Sequence, residues 1–334
     1  MSTMSSWPGS RWSLSAPGVP SPCPQIYSSA AYQEEPEVAA WAFVNSACNN
    51  ATQGFILNET YNSADTQAFG FVGVDPVGGY IVAAFKGTSG LRDWVTDLST
   101  WLRYSYECAL GSNGTDIEDT AAAATAAVAD TSSGDDTGCG GVGGGSGASF
   151  GVSTGGPAAT LPGHVHHGFC EFYASLAELG LAARVAALAG ENPGYAVLLS
   201  GHSLGGAAAT IAAADLSLRW GLGAERLLLY TLGEPRVGDV GFAEGLNSAV
   251  GTRYRLVHRR DVVPHLAPCC HDWRAVCKAE EHCPYHHGGE VVYNNDMAVS
   301  DSCTVCSPTV GEDKECGPGV SGCERVSERE RQAI

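Results

Sequence analysis

The sequence predicts an α/β protein with a mostly parallel central sheet that is flanked by helices. Three apolar segments of strand length, at 195–200, 226–233 and 254–258, alternate with helical or loop segments in the second half of the chain. Such alternation is typical of parallel strands that are buried between helical layers. A chain of 334 residues with 44% hydrophobic residues is long enough to build this core.

The organisation outside these strands is predicted from composition. Residues 1–30 are rich in proline and serine and are predicted to form a disordered N-terminal segment. One α/β domain is predicted over 31–300, and 301–334 is interpreted as a cysteine-rich C-terminal tail. The domain begins with a helical pattern from Glu34 to Ala47.

A β-hairpin is predicted next, because two strand-like runs, Phe69–Val74 and Tyr80–Phe85, flank a short turn. The stretch "LRDWVTDL" follows and has helical spacing. Its apolar residues fall on one helical face: Leu91, Trp94, Val95 and Leu98. Such a face covers an apolar cleft or lies on lipid, although a plain packed helix has the same periodicity.

A low-complexity insertion is predicted at residues 109–163. It holds six acidic residues and no Lys or Arg, and seven of the ten residues at 138–147 are glycine. This composition buries too little apolar surface to fold by itself, so we interpret the segment as a flexible surface insertion. A regulatory or binding role is the alternative.

Regular structure resumes with the stretch 166–190, which predicts one amphipathic helix. The apolar strand at 195–200 then leads into a helix predicted over Leu204–Arg219. No run of about 18 apolar residues is present, so no transmembrane segment is predicted.

Charge and cysteine content indicate the class of partner and the compartment. A net charge of −18 argues against nucleic acid as a partner. Thirteen cysteines, together with glycosylation sequons at Asn50, Asn58 and Asn113, predict disulfides and the secretory pathway or extracellular space. The N-terminus lacks the apolar core of a signal peptide, so we expect the natural start to differ from this one.

The strongest motif is the pentapeptide Gly201-His202-Ser203-Leu204-Gly205. A buried-type strand precedes it and an alanine-rich helix follows it, which is the context that a nucleophilic serine on a strand-to-helix turn requires. Side chains at the two glycines would collide with neighbouring backbone in that turn. We therefore expect the Ser203 hydroxyl to project beyond the sheet edge, within reach of an acyl group.

Several other stretches stand in order around "GHSLGG": "VAAFKGTSGLRDWVTDL", "VHHGF", "TLGEPRVGD" and "RDVVPHLAP". Together they resemble the fungal-type, class 3 lipases, which have the α/β-hydrolase fold. "YHHGGEVVYNNDM" and "GEDKEC" resemble the cysteine-rich animal and protist members of that family. The resemblance covers about Glu34 to Cys316, apart from the insertion.

The resemblance implies roles for individual residues. Ser203 corresponds to the nucleophile and Asp261 to the acid of a catalytic triad. The backbone N–H groups of Thr88 and Leu204 correspond to the oxyanion hole. The segment Gly90–Leu98 corresponds to the short helical lid that opens at an oil–water interface.

A second aspartate is a candidate for the triad acid, and no histidine stands at the position that matches the catalytic base. Asp239 in "RVGD" is the rival acid, at a position that the family uses structurally. The family's catalytic histidine lies near the chain end, but no histidine follows His287 here. His286 and His287 match a non-catalytic stretch, and His202 matches a packing residue. Either the natural C-terminus differs, or the chain is catalytically impaired, or another histidine has taken the role.

The leading hypothesis is a serine carboxylester hydrolase, a triacylglycerol or acylglycerol lipase that meets its lipid substrate at a lipid–water interface and needs no metal or cofactor. A lipase-like, catalytically impaired lipid-binding protein is the alternative. Zinc binding is a third hypothesis, but only Cys303-x-x-Cys306 has a zinc-like spacing, and disulfides explain the same residues better. The zinc hypothesis would use this set: Cys269, Cys270, His271, Cys277, His282, Cys283, His286, Cys303 and Cys306.

Overall fold

A computed structural model describes the protein in several stretches separated by gaps. The described residues are 24–33, 38, 41, 52, 54–88, 105–106, 108, 161–259, 261–266, 277, 279–294 and 303–313. The predicted helix at 34–47, the apolar face at 91–98 and the insertion up to residue 160 lie wholly or almost wholly outside these residues, so they stay predictions.

Five α-helices and ten strands form the described part of the chain. The helices are α1 (Pro24–Ala30), α2 (His167–Glu178), α3 (Leu181–Glu191), α4 (Leu204–Leu218) and α5 (Val240–Ala249). The strands are β1 (Ile56–Asn62), β2 (Phe69–Asp75), β3 (Tyr80–Phe85), β4 (Ser105–Tyr106), β5 (Val165–His166), β6 (Ala196–His202), β7 (Leu227–Leu232), β8 (Thr252–His258), β9 (Glu290–Tyr293) and β10 (Thr304–Val305).

Eight strands form one mixed sheet in the order β1-β2-β3-β6-β7-β8-β9-β10. The five central strands, from β3 to β9, run parallel, whereas β1, β2 and β10 pair antiparallel at the two ends. The predicted architecture, a mostly parallel sheet flanked by helices, is therefore confirmed. The predicted hairpin and the three predicted apolar strands also form, with ends that shift by one or two residues.

The core lies on both faces of this sheet. Helices α2, α3 and α4 cover one face, and their buried side chains pack with those of β3, β6 and β7. Helix α1 covers the other face, where Tyr27 packs near Phe55 and Trp41. Helix α4 is buried along nearly its whole length because it is built from alanine, glycine and leucine, which let it pack closely on the strands.

The single helix predicted over 166–190 is instead two helices. Helices α2 and α3 meet at an angle of 59°. Gly180 lies between them with φ = 100°, a left-handed conformation that glycine adopts without steric cost. Each helix keeps an apolar face toward the core, which is why the apolar periodicity alone does not locate the break.

Both predicted terminal boundaries require correction. Residues 24–30, which were expected to be disordered, form helix α1, because Tyr27 and Ala30 find apolar partners on the sheet. Strand β10 lies in the stretch interpreted as a separate tail, yet it pairs with β9 and extends the main sheet. Within the described residues no single helix has the length and hydropathy to span a membrane, although the bent pair α2–α3 has both together.

Candidate active site

The candidate catalytic residues lie where the parallel strands end. In the pairing register Phe85 stands beside Gly201, His202 beside Leu232, and Leu232 beside Leu256. The carboxyl ends of β3, β6, β7 and β8 therefore meet at one edge of the sheet, where open α/β sheets place their ligands. Three predicted site residues, Thr88, Ser203 and Asp261, follow within three residues of these strand ends.

Ser203 occupies a strained turn between β6 and α4. Its backbone has φ = 57° and ψ = −124°, which is unfavourable for a residue with a side chain. The Ser203 N–H donates to the Leu232 carbonyl at 2.9 Å, and its carbonyl accepts from Gly206 and Ala207 at 2.9 and 3.2 Å. These backbone bonds hold the turn in the conformation that the pentapeptide predicts.

The glycines of the pentapeptide are required by close backbone contacts. A Cβ atom on Gly201 would lie 2.1 Å from the Gly205 carbonyl oxygen, and one on Gly205 would lie 2.3 Å from the Phe85 carbonyl oxygen. Gly201 therefore packs directly against the backbone of Gly205, and Gly205 packs against the backbone at the end of β3. A side chain at either glycine would therefore collide with backbone, as predicted.

The two predicted oxyanion-hole residues lie on adjacent segments. Leu204 begins helix α4, so its N–H has no acceptor within the helix. Thr88 follows Gly87, at which a Cβ would lie 2.4 Å from the His202 carbonyl oxygen. The loop after β3 is thus packed directly against the turn that carries Ser203.

Tyr32, which sequence reasoning missed, connects these two segments. Its hydroxyl lies 3.0 Å from His202 Nδ1, and the Gly87 backbone N–H also hydrogen-bonds it. Burial lowers the pKa of His202 to about 4, so its ring is neutral at pH 7 and Nδ1 can accept a hydrogen bond from the phenol hydroxyl. "AAYQEEP" contains no motif that would have indicated this role.

The expected accessibility of the nucleophile is wrong in this structure. Ser203 is completely buried, and its Oγ has no hydrogen-bond partner among the described residues. The strained backbone of the predicted turn is present, but the hydroxyl that it carries is closed off from solvent.

Asp261 lies just beyond β8 and is mostly buried. Burial raises the pKa of its carboxyl, although the Val263 N–H at 3.0 Å and the nearby His265 and His258 oppose this rise. Among the described residues no other group donates a hydrogen bond to this carboxylate. The rival, Asp239, instead caps helix α5 by accepting from the Phe242 N–H.

A second buried carboxylate lies just after β7, the strand next to the one that leads into the Ser203 turn. Glu234 in "TLGEPRVGD" accepts hydrogen bonds from the hydroxyls of Thr210 and Thr231 and lies 3.3 Å from His287 Nε2. Burial would raise the pKa of Glu234, but the charges of His287 and Arg255 outweigh burial and lower it. This network uses the side chain of His287, consistent with a non-catalytic role.

No histidine of the described part of the chain hydrogen-bonds Ser203 Oγ. His286 Nε2 lies 2.8 Å from the Pro264 carbonyl oxygen, and His202 is engaged with Tyr32. His258 and His265 are near enough to Asp261 to act on its carboxyl electrostatically. His271 lies outside the described residues.

The cysteines favour disulfides over zinc, as expected. Cys108 and Cys170 form a disulfide that closes a sequence separation of 62 residues. Cys277, Cys283 and Cys306 are also disulfide-bonded, so the zinc hypothesis is wrong for these three.

Comparisons with known proteins agree with this architecture. The profile of the family "Lipase (class 3)" matches residues 82–271, more than half of the chain. A lipase from Rhizomucor miehei is 45% identical over 105 residues, 31% of this chain and 29% of the relative. Secreted mono- and diacylglycerol lipase 1 from Fusarium solani is 41% identical over 110 residues, 33% of this chain and 32% of the relative. These alignments span about a third of the length of each curated relative.

Solved structures extend the likeness to most of the fold. The Rhizomucor miehei lipase propeptide complex superposes with a TM-score of 0.59 at 24% identity, covering 89% of this chain and 73% of that chain. Lipase II from Rhizopus niveus superposes with a TM-score of 0.60 at 21% identity, covering 90% and 88%. At this level of identity the likeness establishes the α/β-hydrolase fold.

Proposed function

Because this chain belongs to the class 3 lipase family, we propose that it is a serine carboxylester hydrolase acting on acylglycerols at a lipid–water interface. The observation that carries the proposal is the strained Ser203, held at the carboxyl edge of a parallel sheet and directly before a helix N-terminus. A side chain in that backbone conformation costs free energy of order 1–3 kcal/mol, which proteins retain chiefly at functional sites.

The chemistry follows from the groups around that serine. Ser203 Oγ would attack the ester carbonyl, and the backbone N–H groups of Thr88 and Leu204 would stabilise the negative charge on the tetrahedral oxygen. Helix α4 begins at Leu204, so its dipole has its positive end at this oxyanion. The base of the relay would take the Ser203 proton and give it to the departing alcohol, which would leave an acyl-enzyme on Ser203. The same base would then take a proton from water, whose attack would release the fatty acid and return the proton to Ser203.

The proton relay requires a base between Ser203 and Asp261. Strand β8 is two strands away from β6, a separation of about 9–10 Å at the usual strand spacing. An imidazole that hydrogen-bonds on both sides fits such a gap, and Asp261 would orient its ring and stabilise its charged form. His258, His265 and His271 are the histidines of this chain that we propose to test for the role.

The burial of Ser203 implies an opening step before substrate reaches it. We propose that the segment bearing Leu91, Trp94, Val95 and Leu98 is the lid, whose apolar face would bind the lipid surface when it moves. We also propose that the protein acts outside the cell. Its disulfides suit an oxidising compartment, and a matched Fusarium solani lipase is described as secreted.

The test is ester hydrolysis by the full chain, using a soluble short-chain ester and an emulsified triacylglycerol. Ser203→Ala should lower the rate by at least about 10³-fold and should abolish labelling by a fluorophosphonate. Ser28→Ala is the matched control, because Ser28 is also a buried serine but bonds Ser200 in the core. Equal activity in Ser203→Ala and wild type would overturn the proposal.

A second candidate is a lipid-binding protein with impaired catalysis. The observation that favours it is the absence, among the described residues, of a histidine bonded to Ser203 Oγ. It predicts binding to acylglycerol emulsions with neither turnover nor fluorophosphonate labelling. Labelling at Ser203 would exclude it.

A further inference from the structure

Two histidines and an aspartate from distant segments meet outside the candidate active site. Each of His164, Asp239 and His282 offers a ligand atom, and these atoms all lie within 4.8 Å of one another. His164 Nδ1 is 2.9 Å from Asp239 Oδ2, and the rings of His164 and His282 have centroids 4.1 Å apart. We propose that these three residues form a binding site for a divalent transition metal of the zinc class.

The backbone holds the three residues in place before any metal binds. Gly238 pairs with Val165 on one side and with Tyr285 on the other, so three chain segments lie side by side. The Asp239 N–H donates to the His164 carbonyl at 2.8 Å, and the Tyr285 N–H donates to the Gly238 carbonyl at 2.8 Å. A preformed set of ligands lowers the entropic cost of binding.

Asp239 is the fixed centre of the set. Its Oδ1 accepts from the backbone N–H groups of His164 and Phe242, both at 3.0 Å, and its Oδ2 accepts from the His282 N–H at 3.1 Å. Burial would raise the pKa of Asp239, but these donors outweigh burial and lower it, so the carboxylate is charged at neutral pH. Its side chain is 1% exposed, whereas those of His164 and His282 are 21% and 58% exposed.

The backbone at two positions is shaped around this carboxylate. A Cβ on Gly163 would lie 2.4 Å from Asp239 Oδ1, and Gly163 itself has φ = 66°. His282 has φ = 62°, an unfavourable conformation for a residue with a side chain, and its ring is tilted by 59° against the ring of His164. Glu281 adds a carboxylate at the rim, 3.8 Å from His282 Nε2.

The donor set indicates the class of metal. Two imidazoles and one carboxylate suit zinc and its neighbours, whereas calcium and magnesium prefer oxygen ligands. A tetrahedral zinc with bonds of about 2.0–2.1 Å holds its ligands roughly 3.3 Å apart, close to the spacing between His164 and Asp239. The three ligand atoms lie within 4.8 Å of one another, so a small inward movement would bring them to that spacing, and water would take the fourth position.

The function of such a site would be to fasten the disulfide-bonded segment around Cys277 and Cys283 to the main domain. The three ligands belong to the loop before β5, the start of α5 and this segment, which are far apart in sequence. A metal that bridges them adds stability because it binds only the folded arrangement. The site is separate from the proposed hydrolysis, and Ser203→Ala should bind zinc as wild type does.

The test is zinc binding by the full, oxidised chain, produced without a polyhistidine tag and stripped with a chelator. Calorimetry should show one zinc per chain, cobalt should give the visible spectrum of a tetrahedral nitrogen–oxygen site, and zinc should raise Tm. His164→Ala and His282→Ala should each weaken binding by at least about 10-fold and abolish the Tm shift. Asp239 is left unchanged because it caps α5.

His167→Ala is the matched control, since His167 lies nearby in sequence and pairs with Glu171 on α2, outside the set. It should bind zinc as tightly as wild type. Zinc affinity that is equal in wild type and His282→Ala, no binding at all, or an equal loss in His167→Ala would overturn the proposal. Preference for calcium over zinc would overturn the assigned class of metal.

Discussion

Removing the Tyr32 hydroxyl should damage both the stability and the reactivity of the Ser203 turn. Tyr32→Phe deprives His202 Nδ1 of the hydroxyl at 3.0 Å and deprives the Gly87 N–H of its acceptor. A buried polar group that loses its partner costs about 1–3 kcal/mol, so we expect a loss of about that size for each group. The loop carrying Thr88 is then held against the turn by fewer contacts.

The kinetic effect should fall on kcat. Complete loss of one oxyanion donor costs about 10²–10³-fold, and a displaced donor should cost less, roughly 10-fold. The assay combines urea unfolding with the hydrolysis of a short-chain ester, or with the rate of fluorophosphonate labelling. KM should change less than kcat, because the affected donors act on the transition state.

Tyr27→Phe is the matched control for this experiment. Tyr27 is a second tyrosine of the N-terminal segment and is buried, but its hydroxyl donates to Asp75 at 3.1 Å, at the opposite end of β3 from Gly87. It should lose a comparable free energy of unfolding and keep its kcat. If Tyr32→Phe lowers the free energy of unfolding but leaves kcat unchanged, as the control should, the Tyr32 hydroxyl has no positioning role.

Three further changes test the architecture. Gly201→Ala places a Cβ 2.1 Å from a backbone oxygen and should abolish soluble, active protein. In the control, Gly194→Ala, the added Cβ has no atom within 4 Å, so expression and Tm should equal those of wild type. Replacing Cys108 and Cys170 by serine should lower the free energy of unfolding by about 4 kcal/mol, which is the loop-closure value for a separation of 62 residues. A decrease of less than about 1 kcal/mol, measured by urea unfolding, would contradict this. Burial raises the pKa of Asp261, so the charged carboxylate destabilises the folded protein at a pH above that pKa. Asp261→Asn should therefore stabilise the chain at pH 7 while lowering kcat, and a destabilised, fully active variant would contradict this.

Local sequence determined much of the fold and the place of the candidate nucleophile. The apolar strands and the helix after Ser203 follow from periodicity and composition, which act over a few neighbouring residues. The need for glycine at 201 and 205 follows from the sterics of one tight turn, and the structure has those contacts. The family resemblance, rather than a local pattern, predicts Asp261 as the acid, and this residue lies three positions beyond β8.

Tertiary structure alone decided the features that depend on distant partners. The Tyr32 contact with His202 and the pairing of β10 with β9 each join segments that no local pattern relates. The complete burial of Ser203 is likewise a property of the folded chain. Helix α1 forms in a stretch with the composition of a disordered tail, because the sheet offers its side chains an apolar surface. The meeting of His164, Asp239 and His282 has the same origin, since the three segments become neighbours only when the backbone pairs across Gly238.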